Sequence, residues 1–220
     1  MPTAAEAEEH LRVIRSLMEK ATIYRAVSAP TAMVAGIAAL IVGNPPFKLL
    51  FDHCDPAISF CLRWLLALFA TLLVNTLLIF REARRRGDPV LSPGMRAALQ
   101  ALSPPMLCGA VSFCLFTPQY LPAVLAIFYG LALLATTHFA PRSIMWLGWS
   151  FLLIGLAMVV ISTTNPLYPG PAPDMTTNRL FMQIMPDWMM VATFGCFHLF
   201  YGICTWPRRA PAAAALSSTP

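Results

Sequence analysis

The side chains best suited to chemistry form one short polar run, Asp52-His53-Cys54-Asp55. Carboxylate, imidazole and thiolate groups are all metal ligands. Four adjacent loop residues cannot all turn toward one ion, and no second group at ligand spacing completes the set. The sequence therefore predicts no metal site and no cofactor. A bound metal would draw on His53 and Cys54, or on His198 further along the chain.

Three polar side chains fall inside long apolar runs, and they define a possible polar site within the membrane: Arg63, Asn75 and His198. A charge in hydrocarbon is costly, so Arg63 must pair, face a cavity or reach the headgroups. One interpretation is that it snorkels to the outer headgroups. The other is an ion pair with Asp52, Asp55 or Asp187 at the same boundary, with Asp55 and Asp187 preferred. Asn75 fits an interhelical hydrogen bond, and His198 fits a core imidazole with satisfied partners.

Other patterns carry little chemistry. Met182, Met185 and Met189 lie at i, i+3 and i+7, which places three thioethers on one helical face. Such a stripe suits packing, with Cu(I) handling as the alternative. The sequence has no Walker-type phosphate loop, GxSxG, HExxH or CxxC motif. This pattern favours a protein that is not an enzyme.

The composition indicates lipid as the main solvent of the chain. Of 220 residues, 58% are hydrophobic and 11% are charged, and the mean hydropathy is +0.66. A soluble fold cannot cover its surface with so few polar groups. Six apolar runs approach the length of about 20 residues that a spanning helix needs: Val27–Gly43, Ile58–Phe80, Ala97–Phe116, Leu121–Ala140, Ile144–Ile161 and Asp187–Trp206. The fold class predicted is an all-α polytopic membrane protein.

The basic residues set a predicted orientation. Most of the 15 Lys and Arg residues fall on one side if six spans cross the membrane and both termini lie inside. This arrangement explains the net charge of +5 without a nucleic-acid partner. Pro104 and Pro105 interrupt the third span, which is therefore either kinked or a shorter span that begins at the prolines. The first 26 residues lack the apolar core of a cleavable signal peptide.

The predicted spans divide the chain into three regions. Residues 1–26 read as a cytoplasmic amphipathic helix, residues 27–206 as a six-helix transmembrane domain, and residues 207–220 as a disordered cytoplasmic tail. The first region would either lie on the inner membrane surface or pack on the inner loops. The apolar stripe of this region consists of Leu11, Ile14, Met18 and Ala21. Its basic residues are Arg12, Arg15, Lys20 and Arg25.

Glycine and aromatic positions predict how the spans pack and where they end. Gly148 and Gly155 share one helical face, as do Gly195 and Gly202, and such faces allow helix backbones to approach closely. All five Trp residues and two of the Tyr residues lie mostly near predicted boundaries, where aromatic belts form: Tyr24, Trp64, Trp146, Trp149, Trp188, Tyr201 and Trp206.

The N-terminal run His10-Leu11-Arg12-Val13-Ile14-Arg15-Ser16-Leu17-Met18-Glu19-Lys20-Ala21, followed by Tyr24-Arg25-Ala26, resembles the start of a group of uncharacterised bacterial multi-span membrane proteins. Those proteins have a similar IRxxME amphipathic lead before several spans, and some are found beside PadR-like regulators. The resemblance covers about 20 residues closely. It implies a multi-span fold and no particular activity.

The function expected from the sequence is that of a non-enzymatic protein of the bacterial cytoplasmic (inner) membrane. It would be a membrane sensor or an accessory partner of other membrane or cytosolic proteins, which residues 1–26 would contact, and it could form homo-oligomers. The alternative is a small-solute or metal-ion transporter with a cavity between spans two and six, and an intramembrane enzyme comes third. A cavity lined by Arg63, Asn75 and His198 would favour transport, and a tightly packed bundle would favour the partner role.

Overall fold

The structure, a computed structural model, describes residues 8, 10, 29–51, 53–86, 93–138, 142–164 and 184–206. This part of the chain is 90% helix and contains no strand, so the predicted all-α class is confirmed. Glu8 and His10 are helical and exposed. The rest of the predicted amphipathic segment and the C-terminal tail lie outside the described residues.

Seven helices are numbered here in chain order. They are α1 (Ala29–Gly43), α2 (Pro45–Leu49), α3 (Pro56–Arg86), α4 (Pro93–Leu115), α5 (Leu121–Ala135), α6 (Arg142–Thr164) and α7 (Ile184–Thr205). Four of them, α3, α4, α6 and α7, are long and apolar enough to cross a membrane. The apolar helices α1 and α5 have 15 residues each and measure about 22 Å, against a hydrocarbon core of about 30 Å. Six spans are therefore not established.

The prolines of α4 lie inside a continuous helix that begins well before them. Pro104 has no N–H to donate to the carbonyl of Gln100, four residues earlier. The Ser103 hydroxyl donates to that carbonyl at 3.0 Å instead. A local side chain thus supplies a hydrogen bond that the backbone lacks, and the prediction of a short span starting at the prolines is wrong.

Helix α5 ends at Ala135, five residues before the predicted end of the fourth span at Ala140. The Thr136 N–H and hydroxyl both donate to the Leu133 carbonyl, at 3.1 and 2.7 Å. These two hydrogen bonds end the helix in a tight turn. Threonine favours such an end because its hydroxyl can hydrogen-bond a nearby backbone carbonyl.

Glycines bring α5 and α6 into backbone contact as antiparallel neighbours. A Cβ added to Gly130 would lie 2.7 Å from the Leu152 nitrogen, and one added to Gly155 would lie 2.9 Å from the Ile127 nitrogen. No side chain fits at these separations. The glycine face predicted for the fifth span therefore lies against α5.

The N-terminal and C-terminal parts of the bundle meet through α1, which packs on both α3 and α7. A Cβ on Gly36 would lie 3.0 Å from the Gly195 carbonyl, and one on Gly202 would lie 3.2 Å from the Ala29 carbonyl, so α1 and α7 are antiparallel. Helices α3 and α4 lie toward the outside: only 28% and 17% of their most apolar 18-residue windows are buried.

Candidate functional site

The centre of the candidate site is a buried ion pair between α3 and α7. The Arg63 Nη2 donates to both carboxylate oxygens of Asp187, at 3.1 and 3.0 Å. Arg63 is 1% exposed and Asp187 is 4% exposed. Of the two carboxylates preferred from the sequence, Asp55 and Asp187, Arg63 contacts Asp187.

The other nitrogens of Arg63 also have acceptors. Nη1 donates to the Val42 carbonyl at 2.9 Å, and Nε donates to the Ser59 hydroxyl at 3.4 Å. Val42 lies in the last turn of α1, where its carbonyl would accept from the residue four positions later. That residue is Pro46, which has no N–H. Arg63 thus satisfies a carbonyl that the proline leaves without a helical donor.

Asp187 accepts bonds from more than Arg63. The Trp64 indole Nε1 donates to its Oδ1 at 3.0 Å, and the Lys48 ammonium lies 3.7 Å from its Oδ2. Lys48, Ser59, Arg63, Trp64 and Asp187 are called the Arg63 cluster from here on. The cluster holds two cations and one anion. Its residues join α2, α3 and α7 at one end of the bundle, and Arg63 adds α1 through the Val42 carbonyl.

Two expectations from the sequence are wrong at this end of the bundle. Arg63 does not snorkel, because its guanidinium is buried and bonded inside the protein. Trp64 is not a belt residue, because it is 5% exposed and donates to Asp187. Tyr201 is likewise 5% exposed, whereas Trp146, Trp149, Trp188 and Trp206 are largely exposed.

The polar run before α3 has a structural role in the part of the chain described. Asp55 accepts from the Ala57 N–H at 2.9 Å, which makes it the N-cap of α3, with Pro56 at the first helical position. This explains why Asp55 does not reach Arg63. His53 and Cys54 are exposed in the adjoining turn. Asp52 lies outside the described residues.

Asn75 lies deeper along α3 and bonds α1. Its side-chain oxygen accepts from the Thr31 hydroxyl at 3.1 Å. This is an interhelical hydrogen bond of the kind that joins membrane helices. Asn75 is half-buried and holds the opposite end of the α1–α3 contact from Arg63.

His198 lies in an aromatic cluster formed by α5, α6 and α7. Its Nδ1 lies 2.7 Å from the Phe194 carbonyl, and its Nε2 lies 2.8 Å from the Tyr129 hydroxyl. A carbonyl can only accept, so Nδ1 carries a proton, and in the neutral imidazole Nε2 then accepts from the Tyr129 hydroxyl. The rings of Phe151 and Phe194 lie 5.5 and 6.2 Å from the imidazole, and Phe151 is fully buried.

A π-helical stretch, Val191–Cys196, separates Asp187 from His198 within α7. Residues 11 apart in a regular α-helix point almost the same way. One extra residue in a turn shifts the following residues by about 100°. Asp187 therefore faces α3, while His198 faces α5 and α6.

The three polar residues of the predicted intramembrane site thus contact three different partners. Arg63 is paired with Asp187, Asn75 with Thr31 and His198 with Tyr129. Among the described residues, no group of three or more His, Cys, Asp and Glu is placed to hold a metal ion. Met185 and Met189 are half-buried, and Met182 lies outside this part of the chain.

Sequence reasoning missed Trp64, Tyr129 and the Val42 carbonyl as partners. Trp64 directly follows Arg63, but its position near a helix end favoured a belt role. The carbonyl could have been found, because Pro46 lies four residues after Val42 in the sequence. Tyr129 gave no local signal, since it lies 69 residues from His198.

Comparisons of the chain with protein-family models, curated proteins and solved structures found no match. The geometry described above is accordingly the basis for any functional assignment.

Proposed function

We propose that the chain is a non-enzymatic protein of the bacterial cytoplasmic membrane that acts as a sensor or accessory partner of other membrane or cytosolic proteins. One observation carries this proposal: the polar groups inside the bundle are bonded to one another at three separate helix contacts. A polar group in hydrocarbon that is already paired stabilises helix association. It is not free to bind a solute.

The same observation weighs against the transport alternative. That function places a cavity between the second and sixth spans, which correspond to α3 and α7. The Arg63–Asp187 pair bridges these two helices, with both side chains almost fully buried. A solute on that path would have to displace a charge-assisted bond and leave a buried charge without its partner, which is costly.

We extend the proposal to six spans, with both termini in the cytoplasm. Support comes from the directions of the helices. The short helix α1 is antiparallel to α7 and to α3, and the short helix α5 is antiparallel to α6, each along most of its length. A short apolar helix that packs side by side with a long apolar helix lies in the same environment, which here is the hydrocarbon of the membrane. The exposed Arg81, Arg84 and Arg85 mark the cytoplasmic end under the positive-inside rule.

Thiol accessibility tests the packed bundle. The six Cys residues are replaced by Ala, and a single Cys is restored at Cys54 or introduced as S59C. Ser59 is 4% exposed beside Arg63, whereas Cys54 is exposed at the same end. We expect a water-soluble maleimide to label Cys54 and to leave S59C unlabelled until the protein is denatured. Labelling of S59C in the folded protein from either side of the membrane would support transport instead.

Site-specific photocrosslinking in cells tests the partner role. A photoreactive amino acid replaces Leu11 or Ile14 in the predicted amphipathic helix, or Phe151 in the core as a control. We expect the N-terminal positions to give a discrete crosslink to one protein, and Phe151 to give only crosslinks within the chain. Crosslinks to lipid alone at both N-terminal positions would contradict the partner role.

A further inference from the structure

Helix α3 is too long for the membrane that it crosses. Its 31 residues measure about 46 Å, against about 30 Å of hydrocarbon. The apolar run ends at Phe80, and Arg81, Arg84 and Arg85 follow it. The last turns of α3 therefore lie at the depth of the lipid headgroups.

The three arginines lie on one face of this extension. Arg81, Arg84 and Arg85 are spaced i, i+3 and i+4, so their side chains leave the helix on one side. They are exposed, and together with Phe80 they line an open depression.

An apolar stripe leads into the arginines along the same face. Leu73, Leu77 and Phe80 precede Arg84 by 11, 7 and 4 residues, which is helical spacing. Their side chains are 49%, 59% and 50% exposed. The surface therefore combines hydrocarbon-facing side chains in line with a cationic end.

We propose that Leu73, Leu77, Phe80, Arg81, Arg84 and Arg85 form a binding site for one anionic phospholipid. The phosphate lies against the guanidinium groups, which match its geometry and charge. An acyl chain lies along Leu73 and Leu77. A soluble phosphate compound would meet the same arginines but would leave the apolar stripe unused, so the continuity of the two surfaces favours a lipid. This site is independent of residues 1–26 and of the function proposed above.

Native mass spectrometry of the purified chain, titrated with phosphatidylglycerol, tests the site. We expect the triple variant R81Q/R84Q/R85Q to bind this lipid at least about tenfold more weakly than the unmodified chain. The Lys triple variant keeps the charges but loses the planar fork of donors, so we expect it to bind more weakly than the unmodified chain and more tightly than the Gln triple variant. Should the Gln triple variant fail to fold, R84Q and R85Q alone give smaller losses in the same direction.

A matched control is R96Q/R142Q, which removes exposed arginines from the starts of α4 and α6. These residues lie at the same end of the bundle but outside the stripe, so we expect at most a twofold change. An equal loss in this control would overturn the proposal in favour of general surface charge. Unchanged phosphatidylglycerol binding in the Gln triple variant would overturn it outright.

The apolar stripe distinguishes a lipid from a soluble ligand. We expect L77S to weaken phosphatidylglycerol binding several-fold, and we expect millimolar glycerol 3-phosphate or inorganic phosphate not to displace the lipid. Efficient displacement by either compound, with no effect of L77S, would identify a soluble phosphate site and contradict the lipid assignment.

Discussion

At the scale of single residues, Arg63 has two structural roles at one end of the bundle. Its guanidinium neutralises Asp187 and also donates to a carbonyl that Pro46 leaves without a donor. Two nitrogens of one rigid planar group make these bonds, the third donates to the Ser59 hydroxyl, and a lysine could not reproduce their directions. Arg63 is therefore a residue that positions α1 and α7 relative to α3.

A double-mutant cycle tests this pairing. We expect D187N and R63M each to lower the free energy of unfolding by about 3 kcal/mol, because each leaves a buried charge without its partner. The double variant R63M/D187N should lose clearly less than the sum of the two, since it leaves no buried charge. Unfolding by sodium dodecyl sulfate in mixed micelles gives the three values. Additive losses would contradict a direct coupling.

The control for this cycle is K48A. Lys48 also approaches Asp187, but at 3.7 Å and with 30% of its side chain exposed. Because the ammonium is partly exposed and lies farther from the carboxylate than the guanidinium does, we expect a loss of at most about 1 kcal/mol, much smaller than for R63M.

The sequence alone predicts that Arg63 needs a partner, because the cost of burying a charge is general. It could not choose between Asp55 and Asp187. Asp55 is nearer along the chain, but it is committed to the cap of α3. Asp187 comes from 124 residues away, and only the packing of α7 brings it close.

At the scale of elements, glycines decide which helices touch. The spacing of Gly148 and Gly155 predicts a close contact, and the structure shows that α5 is the neighbour. The partner could not be predicted, because a small-residue face fits any helix with a matching surface. The π-helical stretch in α7 was also beyond prediction, since no residue type marks it.

Substitution at Gly155 tests the contact between α5 and α6. An added Cβ would lie 2.9 Å from the Ile127 nitrogen and 3.0 Å from the Ala123 carbonyl. Backbone atoms cannot move aside, so we expect G155A to separate the helices and to lower the free energy of unfolding by about 1 to 3 kcal/mol. The same micelle titration measures the change.

Gly109 offers a matched control within the bundle. A Cβ there would meet Phe128 at 3.5 Å, which is an ordinary van der Waals distance, so G109A should not lower the stability and should raise it by up to about 1 kcal/mol, because alanine favours the helix over glycine. If G109A and G155A lowered the free energy of unfolding equally, the separation of α5 from α6 could not be the cause of the loss in G155A.

At the scale of the whole molecule, the distribution of charge sets the predicted orientation. Lys48 lies at the end of the bundle that holds Arg63. Five arginines lie at the opposite end of the bundle or close in sequence to that end: Arg81, Arg84, Arg85, Arg96 and Arg142. Length and hydropathy were enough to predict helices crossing a membrane. They were not enough to fix the number of spans, because α1 and α5 are shorter than the hydrocarbon core is thick.

Reporter fusions test the six-span arrangement. We expect fusions after Arg86 and after Arg209 both to report the cytoplasm, because each follows an even number of spans and a group of arginines. A fusion after Leu49 should report the opposite side and serves as the control. An external location for either of the first two fusions would refute the arrangement.

The separation of Arg63 from Asp187 along the chain also has a consequence for synthesis. At about 5 to 20 residues per second, Asp187 leaves the ribosome roughly 6 to 25 s after Arg63. During that interval the guanidinium has no carboxylate from α7, so water, lipid phosphates or the insertion machinery must hold its charge. Ribosomal stalling before α7 would therefore leave an intermediate with an uncompensated charge, which cellular quality control can recognise. The last of the described helices to be made thus completes the packing of the earlier helices α1 and α3.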